Sequence, residues 1–143
     1  MDGAVHLSGG PRILLECKEI VRRRGRCEPG QAVITSGGNL QAGFVIHTVG
    51  PVWHGGTAGE PQVLKDAYYN SLQLAKENGL KTVAFPSIST GAYGYPVKEA
   101  AQIAVATIVD YIKEPFFQEV RIVLFNEKIF KIYEDVLKGR EYK

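Results

Sequence analysis

The stretch Phe85-Pro86-Ser87-Ile88-Ser89-Thr90-Gly91-Ala92-Tyr93-Gly94-Tyr95-Pro96 is the part of this chain best suited to chemistry. It runs from the end of a predicted strand to the start of a predicted helix. Its small residues let several backbone N–H groups converge on one anion, while the helix N-terminus adds partial positive charge. That combination makes a phosphate cradle. It lacks the Gly-Lys-Ser/Thr of a Walker A loop and the GxGxxG spacing of a dinucleotide fold. A plain strand-to-helix connection, with Gly91 and Gly94 merely supplying positive φ, fits the same pattern equally well.

Asp2 and His6 stand at i and i+4, so on a helix both side chains share one face. An aspartate near a chain start is more often a helix cap or a solubilising charge than a catalyst. Phe125-Asn126 closes the last predicted strand on the rim that carries the cradle, and core packing accounts for Phe125 equally well. His47 and His54 have no metal partner at ligand spacing and read as structural, and Trp53 packs under the glycine loop. Cys17 and Cys27 form no CxxC, so neither a zinc site nor a disulfide framework is indicated. Cys17 reads as a small buried hydrophobe.

Positioning these groups requires an alternation of helices and strands. Apolar residues at Ile13, Leu14, Cys17, Ile20 and Val21 make a one-sided stripe that predicts a helix from Pro11 to near Gly25. The β-branched runs 32–35 and 44–49 predict two strands, separated by the turn-forming Ser36-Gly37-Gly38-Asn39. Helical spacing through Leu64, Ala67, Ser71 and Leu74 predicts a second helix over 61–78, closed by Gly79. Residues 82–86 form a compact strand. Pro96 then opens a third helix, with Ala101, Ala104, Val105, Ile108 and Ile112 on one face, and Pro115 stops it. A final strand over 119–125 leads to a helix striped by Ile129, Ile132, Tyr133, Val136 and Leu137. Strands that alternate with helices of this length need crossovers, which build a largely parallel sheet with helices on both faces. Ligands of such sheets bind beyond the carboxyl ends of the strands.

Composition fits one soluble domain spanning residues 1–143, with 45% hydrophobic and 22% charged residues. A net charge of +2 is too small for a generally basic, nucleic-acid-holding surface. The one basic run, Arg22-Arg23-Arg24-Gly25-Arg26, reads as the solvated end of the first helix. There is no secretory signal peptide and no apolar run long enough to span a bilayer, so the expected compartment is the cytoplasm and no membrane partner is expected.

The loop "AFPSISTGAYGYP" resembles the diphosphate-binding loop of macrodomains, and among them it is most similar to the MacroD type, whose members are ADP-ribosyl hydrolases and O-acetyl-ADP-ribose deacetylases. The resemblance extends, in the family's order, to "MDGAVHLSGGPRILLECKEI", "PGQAVITSGGNL" and "VIHTVGPVWHGG". It implies a three-layer α/β/α sandwich around a mixed, largely parallel sheet. It further implies that backbone groups of Ser89, Thr90, Gly91, Ala92, Tyr93 and Gly94 wrap the diphosphate, with the Tyr93 ring against the distal ribose. Phe125 and Asn126 would lie beside the adenine, where a ring stacks and an amide reads base edges. Asp2 would orient or activate a water near the distal ribose, and His6 would order that region. The implied ligand is ADP-ribose or its esters, including ADP-ribosylated proteins, with no metal or redox cofactor.

The chain departs from that family at its start. The family's first strands carry the aspartate that holds the adenine, an Asn-Ala-Ala-Asn run whose last Asn touches the distal ribose, and a glycine triplet; none of these precedes Met1, which stands where the family has Val. The expectation is therefore an N-terminally incomplete macrodomain. Removing a central strand leaves backbone groups of two neighbours unpaired, at about 1–3 kcal/mol for each buried group. Three outcomes are open: the remaining strands close up, another chain supplies a strand, or the fold is weak. Because the absent Asn shares the ribose pocket with Asp2, a non-catalytic ADP-ribose-binding module stands as the alternative to a hydrolase.

Overall fold

The computed structural model describes residues 8–141. Helices and strands alternate as α1 (Pro11–Arg24), β1 (Ala32–Ser36), β2 (Phe44–Thr48), α2 (Glu60–Glu77), β3 (Thr82–Phe85), α3 (Val97–Tyr111), β4 (Glu119–Ile122) and α4 (Glu127–Glu141). Each helix starts or stops where backbone chemistry dictates. Pro11 opens α1, three arginines occupy its last turn, and Gly25 ends it at a φ of 81°. Arg22 and Arg23 both reach Glu19 and all three are largely solvent-exposed, so the basic run is a solvated helix end. α3 ends at Tyr111, with the Ile112 N–H on the Ile108 carbonyl, well before Pro115. Pro115, four residues on, has no N–H for the Tyr111 carbonyl, so the helix cannot continue through it.

The main core lies between α2, α3, α4 and the β3–β4 pair. Leu64, Tyr68 and Leu72 of α2 meet the alanine-rich face of α3, where Ala101 and Ala104 let the helices approach closely, and Phe85 and Tyr133 close the cluster. Of the stripes expected on α2 and α3, Leu64, Ala67, Ser71, Ala101, Ala104, Val105 and Ile108 are buried and Leu74 half-buried, while Ile112 just past α3, and Leu137 of the α4 stripe, stay exposed. α1 behaves differently. Of its expected apolar face only Ile13 is fully buried, and Leu14 and Val21 are 43% and 49% exposed. Among the described elements α1 packs chiefly against β1, so there is too little opposing surface to cover the whole stripe. Cys17 is half-buried, with its Sγ 3.8 Å from His47 Nε2, rather than a fully buried hydrophobe.

The strands form two pairs. β1 and β2 run antiparallel, with Ala32 opposite Thr48 and Ser36 opposite Phe44. β3 and β4 run parallel, with Thr82 opposite Glu119 and Phe85 opposite Ile122. Among the described residues no ladder joins the pairs, so the strands do not close up into one sheet. One face of α2 packs on β1 and β2 while another packs on α3. The pairs nonetheless share a rim, because the Trp53 N–H, just after β2, donates to the Tyr93 carbonyl at 2.9 Å. β4 is shorter than the run 119–125 predicts, which leaves Phe125 and Asn126 in the turn before α4. No described helix is long and apolar enough to cross a membrane.

Candidate functional site

The loop between β3 and α3 is held from below by side chains and left open above. Tyr95 N–H donates to the Ser89 carbonyl at 2.9 Å and Gly94 N–H to the Gly91 carbonyl at 3.0 Å, closing a tight turn. Ile88 N–H donates to the Tyr68 hydroxyl at 3.1 Å. Ser87 Oγ lies 2.6 Å from the Tyr133 hydroxyl, and the Thr90 hydroxyl donates to Ser87 Oγ at 2.7 Å. In contrast, the amides of Ser89, Thr90, Gly91, Ala92 and Tyr93 donate to no acceptor among the described residues. Gly91, Ala92 and Tyr93 are exposed, and Ser89 and Thr90 half-buried, at the carboxyl end of β3.

That arrangement refines the sequence reading at two positions. Gly94 does not contribute its N–H, which is spent on Gly91; it supplies the left-handed turn at φ 72°. Gly91 has no positive φ, and a Cβ there would meet nothing within 4 Å, so the turn does not demand a glycine at that point. Ser89 is the described non-glycine residue with positive φ, at 67°, and its Oγ is buried without a hydrogen-bond partner. A non-glycine residue held there costs about 1–3 kcal/mol. The fold accepts this penalty where the five donors begin.

Tyr93 and Phe125 present rings to solvent, 42% and 84% exposed, so Phe125 is not a core residue. Asn126 is committed in part: its Oδ1 accepts the Ile129 N–H at 2.9 Å and caps α4, leaving its NH₂ group to reach outward. Asp2 and His6 lie outside the described residues. His47 bonds Thr35 Oγ1 at 2.9 Å, a structural setting, while His54 is exposed and gives its backbone N–H to Glu60. Among the described residues no three His, Cys, Asp or Glu side chains stand together as a metal-binding group.

Sequence reasoning missed Glu60. Only 2% exposed, its carboxylate accepts the N–H groups of His54, Gly56 and Ala58 at 2.6–2.9 Å. These bonds, led by that of its own backbone amide, hold the carboxyl at about 2 against burial, which opposes them. Glu60 thereby folds the 54–58 loop back over Trp53, whose ring packs 4.6 Å from that of Tyr95. The clue was Glu60-Pro61 after a glycine-rich stretch, since an acid in a first helical turn is placed to collect free amides. Tyr68 and Tyr133 were also missed as site residues: Tyr133 stood on the apolar stripe of the last helix, and Tyr68 was not singled out at all.

Comparisons with known proteins agree with this geometry. The model of the Macro domain family matches residues 1–104. An O-acetyl-ADP-ribose deacetylase of Cronobacter sakazakii is 51% identical over 96% of this chain and 77% of its own length. A macrodomain of Oceanobacillus iheyensis, solved with ADP, superposes with a TM-score of 0.93 at 41% identity, over 99% of this chain and 76% of that one. A Trypanosoma brucei macrodomain in complex with ADP-ribose gives 0.84 at 35% identity, over 94% of this chain and 55% of that one. A loop of uncommitted amides at the end of a strand, in a helix–strand alternation that superposes on these structures, leads to one conclusion: the chain belongs to the macro domain family.

Proposed function

We propose that this chain binds ADP-ribose and hydrolyses acyl or protein-linked esters of it. The observation that carries this reading is the run of five amides from Ser89 to Tyr93 that have no acceptor among the described residues, in a loop that also presents the exposed Tyr93 ring. A diphosphate accepts several charge-assisted hydrogen bonds worth about 1.5–3 kcal/mol each. Three or four of these supply the roughly −8 kcal/mol that micromolar affinity requires. In this reading the diphosphate sits on the 89–93 amides, the distal ribose lies against Tyr93, and the adenine lies against Phe125 with the Asn126 NH₂ group at a base edge. Asp2 orients the attacking water and His6 orders its surroundings. Negative charge developing in the reaction is met by fixed N–H dipoles, which need no reorganisation. The similarity to enzymes named O-acetyl-ADP-ribose deacetylase supports the ester as substrate.

Calorimetry with ADP-ribose tests the binding half, and no heat at millimolar ligand would refute it. Turnover of O-acetyl-ADP-ribose and of a mono-ADP-ribosylated protein, each compared with Asp2→Ala, tests the chemical half. Binding without turnover would make the chain a reader of ADP-ribose. Equal rates in the parent and Asp2→Ala would remove Asp2 from the mechanism.

A further inference from the structure

We propose that Tyr68 and Tyr133, two core phenols on different helices, are positioning residues that hold the diphosphate loop ready for its anion through the hydrogen bonds of their hydroxyls; this rests on the ADP-ribose reading of that loop. One set of these bonds begins at Thr90, whose hydroxyl lies 2.7 Å from Ser87 Oγ. Ser87 Oγ is in turn 2.6 Å from the Tyr133 hydroxyl. The Tyr68 hydroxyl faces the Pro86 carbonyl at 3.3 Å and accepts the Ile88 N–H at 3.1 Å. On one side Thr90 donates to Ser87 and Ser87 can donate to Tyr133; on the other Tyr68 donates to the Pro86 carbonyl while accepting from the Ile88 N–H. Three consecutive loop residues, Pro86, Ser87 and Ile88, are thus anchored just before the free amides begin, with Thr90 tied back among them.

Core packing alone does not explain this use of phenols. Phenylalanine would fill both positions, since Tyr68 is 0% and Tyr133 5% exposed. Burial raises the pKa of both hydroxyls, so they stay neutral donors at any physiological pH. Hydroxyl chains of this kind reinforce one another in a low-dielectric interior. The two anchors also come from different parts of the site. Tyr68 belongs to α2, whose first residue Glu60 shapes the 54–58 loop. Tyr133 belongs to α4, which Asn126 caps beside Phe125. Tyr133 therefore links the adenine side of the proposed site to the diphosphate loop, and its loss should be felt at the loop rather than evenly through the core.

The test uses the full chain with Tyr68→Phe, Tyr133→Phe and, as a control, Tyr111→Phe. Tyr111 is another phenol with a side-chain partner, donating to Gln73 Oε1 at 2.8 Å on the flank of α2 away from the loop. Hydrogen exchange at the hydrogen-bonded amides of Ile88, Gly94 and Tyr95 is measured alongside calorimetry with ADP-ribose. The expected result is faster exchange at these amides and an affinity about tenfold weaker in Tyr68→Phe and Tyr133→Phe, with neither change in Tyr111→Phe. Ser87→Ala, which cuts the link to Tyr133 at its loop end, should reproduce the affinity loss with little change in thermal midpoint. Loop exchange and affinity equal to the parent in both core variants would overturn the proposal. So would losses in Tyr111→Phe that match theirs at equal thermal midpoint. If the parent itself fails to bind ADP-ribose, the ligand assignment falls, while exchange at Ile88 still decides the anchoring on its own.

Discussion

Replacing Gly50 by alanine tests how closely the two strand pairs meet beneath the binding loop. Gly50 is buried just after β2, and a Cβ built on it would lie 2.2 Å from Ser89 Oγ and 2.5 Å from Ile88 Cγ2. Carbon contacts settle at about 3.5–4.0 Å, so one side must retreat by more than about 1 Å. The position has no left-handed φ, so the substitution adds no backbone strain and isolates the steric effect. Overpacking of this kind costs about 1–3 kcal/mol, against about 0.4–1 kcal/mol recovered from the stiffer unfolded chain. A net loss of about 1–2 kcal/mol should appear in a urea melt at constant m-value. The larger effect should fall on binding. Ser89 and Ile88 lead into the free amides, and a misplacement of about 1 Å in such an array costs up to about 100-fold. Calorimetry should therefore show ADP-ribose binding weakened by about ten- to a hundredfold. Gly50→Ala combined with Ser89→Gly removes the nearest obstacle and relieves the φ of 67°, so it should recover part of both losses. A Gly50→Ala protein with the stability and affinity of its parent would refute the contact and the argument built on it.

Other consequences are equally direct. Because the Glu60 carboxyl is held at about 2, below its ordinary 4.5, it favours the folded state fully above about pH 4.5 and loses that contribution as pH falls toward 2. Glu60→Gln should lower the urea midpoint at neutral pH and flatten its decline through that acid window; an unchanged acid limb would mean the carboxylate is not so held. Tyr93→Ala and Phe125→Ala, at exposed positions, should leave stability within about 0.5 kcal/mol of the parent. Each should weaken ADP-ribose binding by about three- to tenfold if the ring lies against the ligand, as calorimetry would show. Leu64→Ala opens a cavity where three helices meet and should cost about 2–5 kcal/mol in a thermal or urea melt, whatever the ligand.

Much of this protein is legible in its linear order because the relevant physics is local. Stripes of apolar residues at helical spacing mark the faces of α2, α3 and α4, and Gly25, Pro61 and Pro96 mark helix ends within a residue or two, since caps and fixed φ values act on their immediate neighbours. The binding loop is legible for the same reason: small residues between a strand and a helix start are themselves the device that points amides at an anion. What no local pattern carries is the partner of each group. Whether β2 pairs with β3, how much of the α1 stripe is covered, and which amides stay free depend on surfaces brought from far along the chain. Ser87 and Tyr133 are 46 residues apart, as are no neighbours in a stripe, and their hydroxyls meet only because α4 packs back across the loop. Tyr133 reads as core by spacing, Tyr68 does not stand out, and both become anchors only in three dimensions, because a hydroxyl's role is set by the acceptor it faces and only the folded chain decides what that is.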